Sequence, residues 1–193
     1  MKRIGSIVGL FLILAFVLSL PSAAQEAKKI PASLKAAVMQ RLGLDVDVTI
    51  TYSRPGVKGR KIWGALVPYG LEPGNKYSDN KPYPWRAGAN ENTTIEVSKD
   101  VLIDGKALPA GKYSLHMIPS EKEWVVIFNK KNDAWGSYKY NEAEDALRIT
   151  VTPVKTPLQE WLTFGFEDLA GTSATVFMNW EMLKVPFKIS LPQ

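Results

Sequence analysis

The residues best suited to chemistry fall in two short segments. Ser53-Arg54-Pro55-Gly56-Val57-Lys58-Gly59-Arg60 places three cations and two glycines in a tight turn, and Trp85-Arg86-Ala87-Gly88-Ala89-Asn90-Glu91 supplies a further Arg, an indole face and an amide. Guanidinium groups hold carboxylate, phosphate or sulfate through paired N–H bonds, and an indole face stacks on a sugar or on another guanidinium. Arg54, Arg60, Trp85, Arg86, Asn90 and Glu91 therefore make a candidate site for a small anionic or glycan ligand. The same side chains admit a purely structural alternative. In it, Arg60 and Arg86 pair with Glu91 or Asp145 in a buried network that locks the loops without any ligand.

Catalytic constellations are tested by elimination. His116 is the one histidine and the chain has no cysteine, so neither an ordinary zinc or copper site nor thiol chemistry nor a disulfide can be assembled. A Ser-His-Asp triad needs His116 as its base, and Ser114 lies two residues away on the same strand face. Strand geometry separates such residues by about 7 Å, too far for direct proton transfer. His116 is accordingly read as a solvent-face or hydrogen-bonded side chain. No nucleophile elbow, phosphate loop or dinucleotide fingerprint occurs. Asp79-Asn80 lacks calcium-ligand spacing, so no metal and no cofactor is expected. A carboxylate pair drawn from Glu91, Glu96, Asp145, Glu160 and Glu167 remains open as the basis of glycan hydrolysis. Of the six tryptophans, Trp124, Trp161 and Trp180 fit core positions by alternation, which leaves Trp63, Trp85 and Trp135 free to meet a ligand.

The elements that must position these residues are strands. From residue 45 onward the dominant period is two. Val46, Val48, Ile50 and Tyr52 alternate with polar residues, as do Leu147, Ile149 and Val151, then Ala174, Val176, Met178 and Trp180, then Val185, Phe187 and Ile189. Residues 124–128 are apolar on both faces, as a covered central strand requires. Asp104-Gly105 is a hairpin signal, and Pro186 demotes the last strand to an edge. Residues 33–42 read equally well as a short amphipathic helix or as a strand with Ala36, Val38 and Leu42 inward, and residues 141–145 allow one helical turn. Residues 68–92 are the longest irregular stretch, and irregular loops of that length are usually functional or disordered. The pattern predicts an all-β fold, a single antiparallel β-sandwich of jelly-roll or immunoglobulin-like type over residues 33–193.

The N-terminus reads as a leader. Lys2 and Arg3 precede an uncharged apolar run, Pro21 breaks it, and Ser22-Ala23-Ala24 suits a signal peptidase, so residues 1–24 are expected to be removed. Residues 25–32 then form a flexible segment ahead of the domain. The expected setting is the periplasm or surface of a Gram-negative bacterium, with no membrane span after cleavage. The net charge of +5 falls to about +3 once Lys2 and Arg3 leave, too little and too dispersed for a nucleic-acid partner.

The chain resembles the bacterial domain of unknown function 2911 family, found in exported proteins chiefly of Bacteroidetes. The resemblance rests on Tyr52-Ser53-Arg54-Pro55, Lys58-Gly59-Arg60, Leu66-Val67-Pro68-Tyr69-Gly70 and the segment from Trp85 to Glu91. Leu108-Pro109-Ala110-Gly111, Trp135-Gly136-Ser137-Tyr138 and Glu160-Trp161-Leu162-Thr163-Phe164 complete it. It implies an exported β-sandwich, favours the strand at residues 33–42, and brings no activity. Residues 71–84 depart from it, because family members carry the Trp-Arg motif almost directly after Pro-Tyr-Gly. This insertion is a lid or rim over the Arg motif, or a longer surface loop. The reading that follows is a non-catalytic binding module for a sugar-like or anionic ligand, set against a glycan hydrolase and a structural envelope protein.

Overall fold

Alternating apolar residues form strands throughout the computed structural model, which describes residues 29–192. The leader expected over residues 1–24, and residues 25–28 of the segment after it, lie outside the described residues. In chain order the strands are β1 (Leu34–Leu42), β2 (Val46–Arg54), β3 (Thr93–Val97), β4 (Val101–Ile103), β5 (Lys106–Leu108), β6 (Gly111–Ile118), β7 (Trp124–Asn129), β8 (Asp145–Val151), β9 (Val154–Glu167) and β10 (Ser173–Ser190). They form a six-stranded sheet ordered β1-β2-β3-β6-β7-β8 and a four-stranded sheet ordered β5-β4-β10-β9. Every pairing is antiparallel. The fold is an all-β sandwich. Among the described residues, no helix is long and apolar enough to cross a membrane.

Residues 33–42 resolve as a strand. β1 pairs with β2 in unbroken register from Leu34↔Arg54 to Leu42↔Val46, with Ala36, Val38 and Leu42 turned inward. A helix there would have left one whole edge of β2 without partners. The turn at residues 141–145 forms as a short 3-10 helix, Glu142–Glu144, whose Ala143 N–H donates to the Asn141 side chain. The Asp104-Gly105 hairpin joins β4 to β5, and both residues adopt the left-handed backbone that such a turn needs.

Pro186 does not mark an edge. The two period-two runs near the C-terminus are one strand, β10, internal to its sheet. Its pairing with β9 ends at Lys184↔Val154 and its pairing with β4 begins at Ile189↔Ile103, so Pro186 falls between the two ladders. The edges of this sheet are β5 and β9, and β9 carries Pro157.

Between the sheets, Tyr52 of β2 meets Phe164 of β9 at 5.0 Å and Phe128 of β7 meets Phe187 of β10 at 5.8 Å, both edge to face. The irregular chain at residues 55–92 packs as a further layer on this core. Isolated bridges tie Gly56 to Trp161 and Trp85 to Met117, and Trp63 inserts against Trp124, Trp180 and Trp85 with ring centroids 4.8, 5.6 and 5.7 Å away. Trp63 and Trp85, expected to be free, are therefore core residues at 9% and 5% exposure, while Trp161, expected in the core, is 40% exposed. The reason is positional. Trp161 points outward from the edge strand, and the loop carries the other two rings into the cluster.

Truncating the central ring tests this. Trp63→Ala should cost about 3–5 kcal/mol, the range for deleting a buried Trp or Phe side chain, in urea-induced unfolding. A loss below about 1 kcal/mol would show that the loop layer is not part of the core.

Candidate functional site

Four of the six candidate residues come together. Arg60, Trp85, Arg86 and Asn90 line one open cavity of about 280 Å³, joined by Glu72 and Trp180. Arg54 and Glu91 lie elsewhere. Arg54 donates from Nε to the Leu162 carbonyl at 2.9 Å and from Nη2 to Thr163 Oγ1 at 2.7 Å, so it ties β2 to β9 beside a different depression. Glu91 is exposed, accepts a bond from Ser53 Oγ at 3.3 Å, and faces a third depression.

The loop after Trp85 is shaped to present Arg86. Ala87 and Asn90 take left-handed backbone angles, φ 50° and 59°, a strain usually met at sites that the surrounding structure over-determines. Gly88 is required because a Cβ there would stand 2.8 Å from Thr93 Oγ1, which itself donates to the Ala87 carbonyl. The Asn90 side chain donates to Ser33 O at 3.0 Å, and Asn90 O in turn accepts from Arg86 Nη1 at 2.7 Å. The guanidinium sits over the Tyr138 ring, 5.1 Å from its centroid. On another side it meets Gly136. A Cβ at Gly136 would stand 2.6 Å from Nη1 and closer still to Cζ. Gly136 and Tyr138 are thus the seat of Arg86, a contact that neither motif announces alone.

The expected ion-pair network does not form. Asp145 is taken by Arg148, Tyr140 and Asn129 at 2.6 to 2.7 Å. Arg60 folds back on its own turn, donating from Nε to Val57 O at 3.1 Å and from Nη2 to Gly56 O. Among the described residues neither Arg60 nor Arg86 is in a salt bridge. Half-buried Arg86 keeps donors to spare. Glu72, from the irregular loop at residues 71–84, is the one carboxylate lining the cavity. Its burial raises the carboxyl above the ordinary range, and the nearby Arg86 charge opposes that rise. At the cavity wall Trp180 carries a buried indole N–H without a partner. Glu72 escaped sequence reading because a lone acid in an aperiodic loop has no spacing to flag it.

A second carboxylate does not join Glu72. Glu160 accepts from the Lys58 backbone at 2.9 Å and Glu91 faces away, so this cavity lacks the pair that glycan hydrolysis requires. No group of three His, Asp or Glu side chains able to hold a metal occurs among the described residues.

His116 corrects the strand-spacing argument. Its ring reaches along β6, and Nε2 meets Ser114 Oγ at 2.8 Å while Nδ1 meets Ser137 Oγ at 2.7 Å. Ser114 donates to the Lys131 carbonyl at 2.9 Å, which assigns the proton to Nε2 and makes Nδ1 the acceptor from Ser137. His116 is buried at 1% exposure rather than on a solvent face, and the adjoining cavity of about 10 Å³ admits no substrate. Burial above all, with the Arg86 charge assisting and Asp145 opposing, lowers its pKa to about 4.

Two measurements follow. Gly136→Ala should destabilise by roughly 2–4 kcal/mol, from overpacking plus left-handed strain. In an Arg86→Ala background the same change should cost only the strain, about 1–2 kcal/mol, and equal costs in both backgrounds would contradict the seat. The second concerns pH. Between about pH 6.5 and 4 the unfolded chain binds a proton at His116 that the folded chain refuses, so stability is full above pH 6.5 and falls as pH drops. The loss should reach about 3 kcal/mol by pH 4 and be missing from His116→Gln. Equal slopes in both proteins would show that His116 is not held neutral.

Comparison with known proteins adds the family. No curated protein and no solved structure matches the chain. A family model described as protein of unknown function (DUF2911) matches residues 33–189, from the first residue before β1 to the penultimate residue of β10. Spanning the whole sandwich as it does, that match makes the chain a member of the DUF2911 family.

Proposed function

We propose that the chain is a non-catalytic binding module whose cavity between Arg60 and Arg86 takes a small monoanionic ligand, a carboxylate or sugar acid. The observation that carries this reading is the charge count of the cavity. Two guanidiniums face one carboxylate, Glu72, and among the described residues the half-buried Arg86 makes no salt bridge. An uncompensated cation in a partly desolvated site is costly unless a ligand supplies the opposite charge. The Glu72 carboxyl offers a further polar contact suited to ligand hydroxyls. An exported setting, supported by the leader-like N-terminus, belongs to the same proposal.

The test is a thermal-shift titration of the protein with galacturonate, gluconate, acetate, phosphate and sulfate. A ligand at about a hundred times its Kd adds about 2.7 kcal/mol, a shift of several degrees for a domain of this size. Galacturonate or another monoanion is expected to raise Tm, and the shift should vanish in Arg86→Gln. Should Arg86→Gln not fold, Arg60→Gln serves as the second variant. A flat response to every anion, or a shift that survives both substitutions, would overturn the reading.

A further inference from the structure

A further depression, of about 520 Å³, is lined by Tyr77, Ala134, Trp135, Tyr138 and Lys139. Two of its aromatics are held out to solvent, Trp135 at 59% exposure and Tyr77 at 58%. The Tyr77 and Tyr138 rings stand 5.5 Å apart at an interplanar angle of 38°, an open angle rather than a closed stack. The surface is built, not loose. The Tyr77 N–H donates to Asn75 Oδ1 at 2.8 Å, the Asn75 amide donates to Tyr83 OH at 2.8 Å, and Tyr83 packs edge-on against Tyr138 at 5.2 Å. Lys139 Nζ meets Asp79 Oδ2 at 2.8 Å, joining the loop at residues 71–84 to the 135–140 segment.

We infer that this aromatic depression is a subsite for a neutral pyranose unit of an oligosaccharide. A pyranose presents one apolar face of C–H groups and a periphery of hydroxyls. It therefore fits exposed aromatic faces edged by a donor and an acceptor. Lys139 on the lining supplies a donor and its ion-pair partner Asp79 an acceptor, the pair cancelling in charge, while Lys76 stands over the Tyr77 ring at 5.0 Å and adds a second donor. An acyl chain would strip water from that ion pair and return no hydrogen bond, and an anion drawn by Lys139 would meet Asp79. Tyr and Trp give such contacts at small cost in side-chain entropy. This inference does not rest on the occupancy of the Arg cavity, although Tyr138, the ring under Arg86, joins the two.

The experiment titrates the protein with cellohexaose, laminarihexaose, chitohexaose and mannohexaose by calorimetry. At least one hexaose is expected to bind. Trp135→Ala and Tyr77→Ala should each weaken it about tenfold or more, the size of a lost stacking contact, with Tm unchanged. The galacturonate shift is read on the same variants and should persist, because neither residue lines the Arg cavity. Failure of all four hexaoses to bind at about 10 mM, weaker than any useful affinity, would overturn the inference. So would hexaose binding that survives in the double variant. Loss of galacturonate binding alone would touch only the anion site, so the two proposals fail separately. If Trp135→Ala does not fold, Trp135→Ser with Tyr77→Ala read singly carries the same comparison.

Discussion

The tryptophan cluster is the constraint on which the rest depends. Residues 55–92 contain no long strand, so their backbone gains little from sheet pairing and must be held by side chains. Trp63 does most of this, standing among Trp124 of β7, Trp180 of β10 and Trp85 of its own loop. Those strands belong to different sheets, so one indole fixes the loop to both layers at once. Trp85 stacks on Trp180 at 6.0 Å with the rings 18° from parallel, and the next residue is Arg86. Burial of an apolar ring thereby decides where a cation stands. That is the usual division of labour between a packed core and a polar site.

Arg86 in turn couples three surroundings. Its charge opposes the raised pKa of Glu72 in the open cavity and adds to the lowering at buried His116. Its guanidinium lies against Tyr138, which floors the aromatic depression. A guanidinium tolerates this because it is planar, weakly hydrated and permanently charged, and a lysine in its place would neither stack nor share donors so widely. Gly136 is the cost of that arrangement, a left-handed residue with no side chain at the one point where the guanidinium passes.

Much of the fold was legible because period-two alternation reports directly on which face is buried. β2 and β8 follow from it, and so do both halves of β10, although the alternation read them as two strands; the Asp104-Gly105 hairpin was legible from its turn residues instead. What escaped depended on contacts distant in sequence. Trp63 and Trp161 were exchanged between surface and core, since alternation counts a ring as inward without knowing which strand ends at an edge or which loop folds back. Pro186 misled because a proline reports a missing donor, and only the ladder register shows that none was needed there. At the site, Arg60, Trp85, Arg86 and Asn90 were grouped by residue type and do converge. Arg54 and Glu91 share the same motifs but turn to Leu162 and Ser53, which no spacing rule could separate. The Ser114–His116 contact was missed for a simpler reason: backbone spacing along a strand ignores the length of an imidazole.

β10 deserves a last consideration, because so much converges on it. It alone pairs with both β9 and the β4–β5 hairpin, and it contributes Trp180 to the ring cluster. It also follows the other nine described strands in sequence. The hairpin at residues 101–108 therefore has no sheet to join, and Trp63 no complete pocket to enter, until the C-terminal segment is available. Closing such distant contacts carries a large loop entropy and slows folding. A growing chain would hold the six-stranded sheet with an exposed apolar face, and β4, β5 and β9 could join as the second layer only once residues 173–190 arrive.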